Sequence, residues 1–248
     1  MNYIVFDLEL NQDYTTLDRK LVQKRQPPFE IIQLGAVKLD SEFNTVDNFN
    51  KYVKPIIYER LNPFVEELTG ITQETLSNAE MFPEVYKQFI DFIGDKDSVF
   101  CVWGTSDISE LYRNADIHSL TKTALPRKYI NIQPYVSLHF HFPVKNLLRL
   151  EHAVQALNIP VKNTFHDAYN DAFYTAEILK KIYNSFILPK TFDPAVPVIR
   201  PPSRQRRVID TEALINQFAK MYNRELTQEE KSMILLAYKM GKTGQFMK

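Results

Sequence analysis

Hydrophobic and polar positions change their period several times along the chain. Residues 3–10 (YIVFDLEL) alternate within a β-prone run and predict a strand. Tyr3, Val5, Asp7 and Glu9 then share one side, and Ile4, Phe6, Leu8 and Leu10 the other. EIIQLGAVKLD (30–40) and VDNFNKYVKP (46–55) predict two more strands, the second closed by Pro55. The long connection 11–29, with Pro27-Pro28, predicts a mobile loop or a hairpin. Pro63 suits the first turn of a short helix through Leu68 that Gly70 ends, and Thr72 caps another short segment. FPEVYKQFIDFI (82–93) has apolar residues at helical spacing. SVFCVW (98–103) predicts a buried strand, and a helix follows from about Ser106 to Ala115. A further strand is predicted near 129–132, and helical periodicity returns at 147–157 and 167–187.

Three strands first, then strands alternating with helices, predict an α/β domain with a mixed sheet over residues 1–188. Residues 189–209 hold five prolines and four arginines and read as an extended linker. Residues 210–222 and 227–240 read as two helices of a C-terminal extension, 210–248, with Asp210 or Thr211 and Thr227 as start signals.

Composition narrows the class. Of 248 residues, 44% are AVILMFWYC and 24% DEKR, enough apolar material to bury a sizeable core. Aromatics at 12% and only six glycines exclude collagenous, low-complexity and wholly disordered chains. No apolar run approaches the roughly 18 residues of a membrane span. Residues 1–10 have no basic leader and carry two carboxylates, unlike a signal peptide. Cys101, the only cysteine, excludes an internal disulfide and a Cys-based zinc site, so a cytoplasmic location is expected. The net charge of zero conceals an asymmetry: residues 200–248 hold ten Lys/Arg against five Asp/Glu, leaving −5 on residues 1–199. Such a tail is drawn to phosphate, or packs on the body or a protein partner.

Three acidic signals carry candidate chemistry. Asp7 and Glu9 project from one face of a core strand, where they repel each other and lose hydration unless a cation or a donor compensates. A hard divalent metal does so with oxygen ligands; arginines or a solvated strand end would serve as well. Asp107 falls in the first turn of a helix, where the helix dipole alone suffices to account for an acid. In FHDAYNDAFYTAEIL (165–179), His166 and Asp171 are five apart, about 140° around a helix. They converge only if His166 lies on the loop before the helix and Asp171 one turn in. Asp167 then takes the cap position, a structural role.

Taken in order, Asp-x-Glu in the opening strand, an acid at a strand end and His-x-Ala-x-x-Asp opening a late helix resemble the three motifs of the DEDDh (DnaQ-like) 3′–5′ exonuclease superfamily. EIIQLGAV is similar to that family's second strand, and Leu68-Thr69-Gly70-Ile71 to its Leu-Thr-Gly-Ile segment. Trp103-Gly104 before Asp107 resembles the branch that holds the histone-mRNA 3′ exonuclease and KapD-like proteins. A histidine five before the last acid, with Asp167 where the DEDDy type has tyrosine, matches the DEDDh type. The chain departs at Leu10, where many members have threonine beside the terminal nucleotide.

The resemblance implies an RNase H-like mixed five-stranded sheet flanked by helices. It implies a metal-dependent exonuclease that removes nucleoside 5′-monophosphates from nucleic-acid 3′ ends, RNA favoured over DNA. Two divalent ions, Mg²⁺ or Mn²⁺, would be held by Asp7, Glu9, Asp107 and Asp171: Asp7 bridging both, Glu9 and Asp171 completing the site of the nucleophile, Asp107 supporting the second. His166 would take the proton of the attacking water. Leu8, Leu10, Leu68, Thr69 and Ile71 would wall the terminal nucleotide. A catalytically inactive nucleic-acid-binding or regulatory module of the same fold, and a DNA proofreading exonuclease, are the alternatives.

Overall fold

A computed structural model describes residues 1–12, 29–142, 147–194 and 211–242. Most of the connection expected over 11–29 and most of the linker expected over 189–209 lie outside these residues. The chain divides into two compact units, Met1–Pro197 and Val198–Lys248.

The first unit begins with three antiparallel strands, β1 (Tyr3–Asn11), β2 (Glu30–Leu39) and β3 (Thr45–Lys54). Helices α1 (Pro63–Thr69) and α2 (Gln73–Ser77), strand β4 (Glu80–Met81) and helix α3 (Phe82–Ile93) follow. Then come β5 (Val99–Val102), α4 (Ser106–Ile117), β6 (Lys128–Asn131) and α5 (Gln133–His139). Helices α6 (Leu150–Ala156) and α7 (Ala168–Ile182) and strand β7 (Lys190–Thr191) complete it. The sheet runs β4-β3-β2-β1-β5-β6-β7, with β5 parallel to β1 and β6 parallel to β5. It is the expected mixed sheet with helices on both faces. Its five substantial strands are those the periodicity predicts; β4 and β7, two residues each, extend it to seven. Pairs that short have no period to read.

The alternation in β1 separates two cores. Ile4, Phe6 and Leu8 pack with Phe89, Phe100, Ile108 and Leu111 on the face covered by α3 and α4. Tyr3 and Val5 pack with Ile130, Tyr174, Ile178 and Leu179 on the face covered by α7. A smaller core of Ile32, Leu61, Val65, Ile71 and Leu76 seats α1 and α2. The register of β1 and β2 slips between Glu9 and Leu10, so Ile32 lies in a bulge that turns it to this third core while Ile31 stays in the first.

Local chemistry accounts for the helix boundaries. The Asn62 side chain accepts the Phe64 N–H at the start of α1, and Gly70 ends it with φ 71°. Thr72 caps α2 through the Thr75 N–H, and Asp167 caps α7 through the Asn170 N–H. At α4 Thr105 occupies the cap position without a side-chain hydrogen bond. Helix α5 escapes the periodicity because it is short; Pro134 lies in its first turn. Helix α7 stops at Ile182 rather than 187, since Tyr183 turns extended with ψ 133°. The body does not end at 188: β7 pairs with β6, and the Phe192 ring packs on Tyr112 at 4.8 Å.

The second unit holds α8 (Thr211–Tyr222) and α9 (Gln228–Lys242). Thr227 and Glu230 form a reciprocal capping box at the start of α9, as the Thr227 signal predicts. Among the described residues no helix is long and apolar enough to cross a membrane.

Candidate active site

The site lies on the α7 face of the sheet. In the register of β1 against β2, Asp7 is opposite Gly35 and Glu9 opposite Gln33. Gly35 leaves bare backbone where α7 starts: a Cβ there would overlap the Ala168–Tyr169 backbone. Gln33 reaches up from the same face. Its Nε2 donates to Asp167 Oδ2 at 2.8 Å and to Asn50 Oδ1 at 3.0 Å, and its Oε1 accepts the Ala168 N–H at 3.1 Å. One close approach and one amide thus bring the first turn of α7, with Asp171, onto Asp7 and Glu9.

Carboxylate oxygens of Asp7, Glu9 and Asp171 lie within 4.8 Å of one another. Asp107, in the first turn of α4 after β5, is 6% exposed and stands outside that tightest group. Its charge is among those that raise the Asp7 carboxyl. The β5–α4 turn that places it needs Gly104, with φ 102°, whose N–H donates to Asn131 Oδ1 at 3.0 Å.

The electrostatics are those of an uncompensated acidic cluster. Burial, then the charges of Asp107, Asp171 and Glu9, holds the Asp7 carboxyl well above the usual range. Burial and then Asp171, Asp167 and Asp107 push Glu9 up to about 8. Asp107 and Asp171 both rise to about 7, chiefly through burial, although a backbone hydrogen bond pulls each the other way. Among the described residues no lysine or arginine pairs with any of the four. Asp171 Oδ1 is buried without a hydrogen-bond partner. An all-oxygen set with an orphaned carboxylate oxygen suits a hard divalent cation, which would relieve repulsion and desolvation together.

His166 lies on the loop before α7, as convergence with Asp171 requires. Its backbone N–H donates to Asp171 Oδ2 at 3.3 Å and its φ is 63°, a left-handed conformation that a non-glycine residue adopts at a cost. Its ring is about half exposed, with Nε2 3.8 Å from Glu151 Oε1 on α6. Asp167 accepts from Asn170 and Gln33 and is occupied structurally.

The wall residues divide. Leu68 is exposed on α1 and Leu10 is half-buried against the first core. Leu8 and Ile71 are buried in their cores, and the Thr69 hydroxyl donates to the Val65 carbonyl and accepts the Ile71 N–H. The side chains of these three serve the fold. Phe64, one helical turn before Leu68 and 63% exposed, offers apolar surface that sequence reading passes over. Gln33 and Gly35 carry no motif of their own, although a glycine inside an apolar strand is a signal for close approach of another backbone.

The RNase_T exonuclease family model matches residues 4–179, which contain all four acids and His166. The chain belongs to this exonuclease family. Curated relatives include 3′-5′ exoribonuclease 1 of Mus musculus, 27% identical over 157 residues, 60% of this chain and 45% of the relative. The 3′-5′ exonuclease crn-4 of Caenorhabditis elegans is 26% identical over 195 residues, 73% of this chain and 62% of the relative. The exonuclease chain thus spans about half the length of these relatives. The nuclease domain of 3′hExo, a DEDDh family member solved bound to rAMP, shares the fold: TM-score 0.63 at 23% identity, over 77% of this chain and 96% of that one.

Proposed function

We propose that this exonuclease is a DEDDh-type, metal-dependent 3′–5′ exonuclease that releases nucleoside 5′-monophosphates, with RNA as the favoured substrate. The convergence of Asp7, Glu9 and Asp171, with Asp107 beside them and Asp171 Oδ1 unpartnered, carries the reading. The exoribonuclease 1 relatives favour RNA, while DNA polymerase III PolC-type of Clostridium perfringens, 30% identical over 180 residues, 72% of this chain and 11% of the relative, favours the DNA proofreading alternative.

Two divalent ions, Mg²⁺ or Mn²⁺, would supply Lewis acidity at the scissile phosphate and a nucleophile at neutral pH. Asp7 would be shared by both ions, Glu9 and Asp171 would hold one, and Asp107 would support the other. His166, half exposed with its Nε2 3.8 Å from Glu151 Oε1, accepts the proton of the attacking water. Leu68, with Phe64 beside it, and Leu10 would offer apolar surface to the terminal base and sugar, with the backbone around Leu8, Thr69 and Ile71 completing the wall.

The deciding experiment incubates the full chain with 5′-labelled RNA and DNA in one tube, with Mg²⁺ or Mn²⁺ and with chelator. Stepwise shortening from the 3′ end that chelator stops, faster on RNA, is expected. Asp7→Asn should abolish it while raising the melting temperature of the metal-free protein by about 2–4 °C per kcal/mol of relieved repulsion. Retained activity in that variant would refute the bridging role, and binding without cleavage by the wild type would favour the inactive module. For the tail, removal of residues 200–248 should weaken binding to long strands and flatten its salt dependence. An unchanged slope would assign the tail to a protein partner or to the body.

A further inference from the structure

The sheet has a second chemical end. Asp7 and Glu9 lie toward the C-terminal end of β1, and Asp107 follows the C-terminal end of the parallel strand β5. At the other end of these strands, the loop before β5, the α4–β6 connection and Pro194 surround an open cavity of about 540 Å³. Every lining residue belongs to the first unit. Lys96, Lys122, Arg127 and Lys128 line it, with Asp97 as the acid in its wall. Lys122 is paired with Asp116, but no carboxylate among the described residues pairs with Lys96, Arg127 or Lys128. The wall between them is firm. Tyr112 is 3% exposed, packs on Phe192 and donates its hydroxyl to the Pro126 carbonyl.

Three cations with no carboxylate partner among the described residues, beside one acid, run against the charge of this unit, since residues 1–199 carry a net −5. Like charges gathered on a firm wall repel one another, and an anion seated among them removes that cost. We propose that the cavity binds backbone phosphates of a nucleic-acid strand whose 3′ end lies at the carboxylates, a reading that rests on the exonuclease function proposed above. The openness of the site selects a polymer over a free nucleotide. Each exposed lysine or arginine offers one phosphate only a weak, screened attraction, which becomes useful when several act on one polyanion. The carboxylates lie at the C-terminal end of β1 on the α7 face and the cavity at the N-terminal end beside α4, so a strand that meets both runs around the outside of the sheet and must be many nucleotides long.

The test compares the full chain with the double variant Arg127→Gln/Lys128→Gln and with the single variant Lys96→Gln on a different loop. Binding of a labelled single-stranded RNA of about 20 nucleotides is measured in chelator between about 50 and 200 mM salt. The double variant should bind several-fold more weakly, with a log–log salt slope shallower by about 1.4, or ~0.7 per lost phosphate contact. Lys96→Gln should lose about half as much. Dinucleotide hydrolysis with Mg²⁺ should be unchanged in both, because a dinucleotide cannot span to the cavity. An unchanged slope in correctly folded variants overturns the proposal. So does calorimetry in which free AMP binds and loses its heat in the double variant while the RNA slope holds, since the cavity then serves a nucleotide. If the wild type fails to cleave the dinucleotide, the exonuclease reading is at fault, and the slope comparison still judges the cavity.

Discussion

At the scale of single residues, the site separates groups that do chemistry from groups that place them. His166 keeps a positive φ while its N–H holds Asp171 and its ring faces solvent near Glu151. The strained backbone ties the position of the ring to that of the acid. His166→Ala should cut the rate by about 10²–10⁴-fold, the usual worth of a general base, with metal affinity largely retained. Calorimetry that showed lost metal affinity instead would make the ring a ligand. Gln33 is fully buried, with both ends of its amide used. Gln33→Leu removes those bonds without changing the acids, and a loss of about 10–100-fold in metal affinity or activity is expected, as for groups that orient ligands. Unaltered metal titrations would show that the cap of α7 holds without it.

At the scale of elements, the decisive contact is α7 on β2. Asp171 reaches Asp7 and Glu9 because the N-terminus of the helix lies directly on the Gly35 backbone. Glycine is needed here for close approach, not for its dihedral freedom. Gly35→Ala should cost about 3 kcal/mol in urea unfolding, the upper range for overpacking. Activity should fall further than stability explains, since lifting α7 opens the carboxylate cluster. A variant with wild-type activity would show that the helix can shift without moving Asp171. The β1–β2 bulge acts in the same way on the other side of the site. By turning Ile32 into the small core with Ile71 and Leu76, it seats α1 and presents Leu68 and Phe64 at the surface.

At the scale of the whole molecule, stability and the site oppose each other. The four acids have folded-state values raised above those of the unfolded chain, so the native state binds more protons over the intervening window. Stability of the metal-free protein therefore falls as pH rises from about 4, where unfolded carboxylates ionise, to about 8, where Glu9 does. A divalent ion held by the ionised cluster, as proposed above, would reverse this. Thermal melts in chelator should show a steeper decline between pH 5 and 8 for the wild type than for Asp7→Asn. Added Mg²⁺ or Mn²⁺ should stabilise the wild type more at pH 8 than at pH 5. Equal pH slopes in the two proteins would mean that the cluster is compensated by something other than a metal.

Periodicity, caps and motif order were legible in the chain itself, because each is a short-range property. The alternation of β1 places Asp7 and Glu9 on one face wherever that strand sits, and Thr72, Asp167 and Thr227 cap their helices through neighbours three residues away. The family motifs could be read in the same local way. What only tertiary structure decided depends on partners distant in sequence: Gln33 holding Asp167 across 134 residues, Gly35 admitting α7, and two-residue strands that exist only because a neighbour pairs with them. A carboxylate's spacing states where it can point. Whether it arrives beside another carboxylate, with an oxygen left unpartnered, is settled by packing alone.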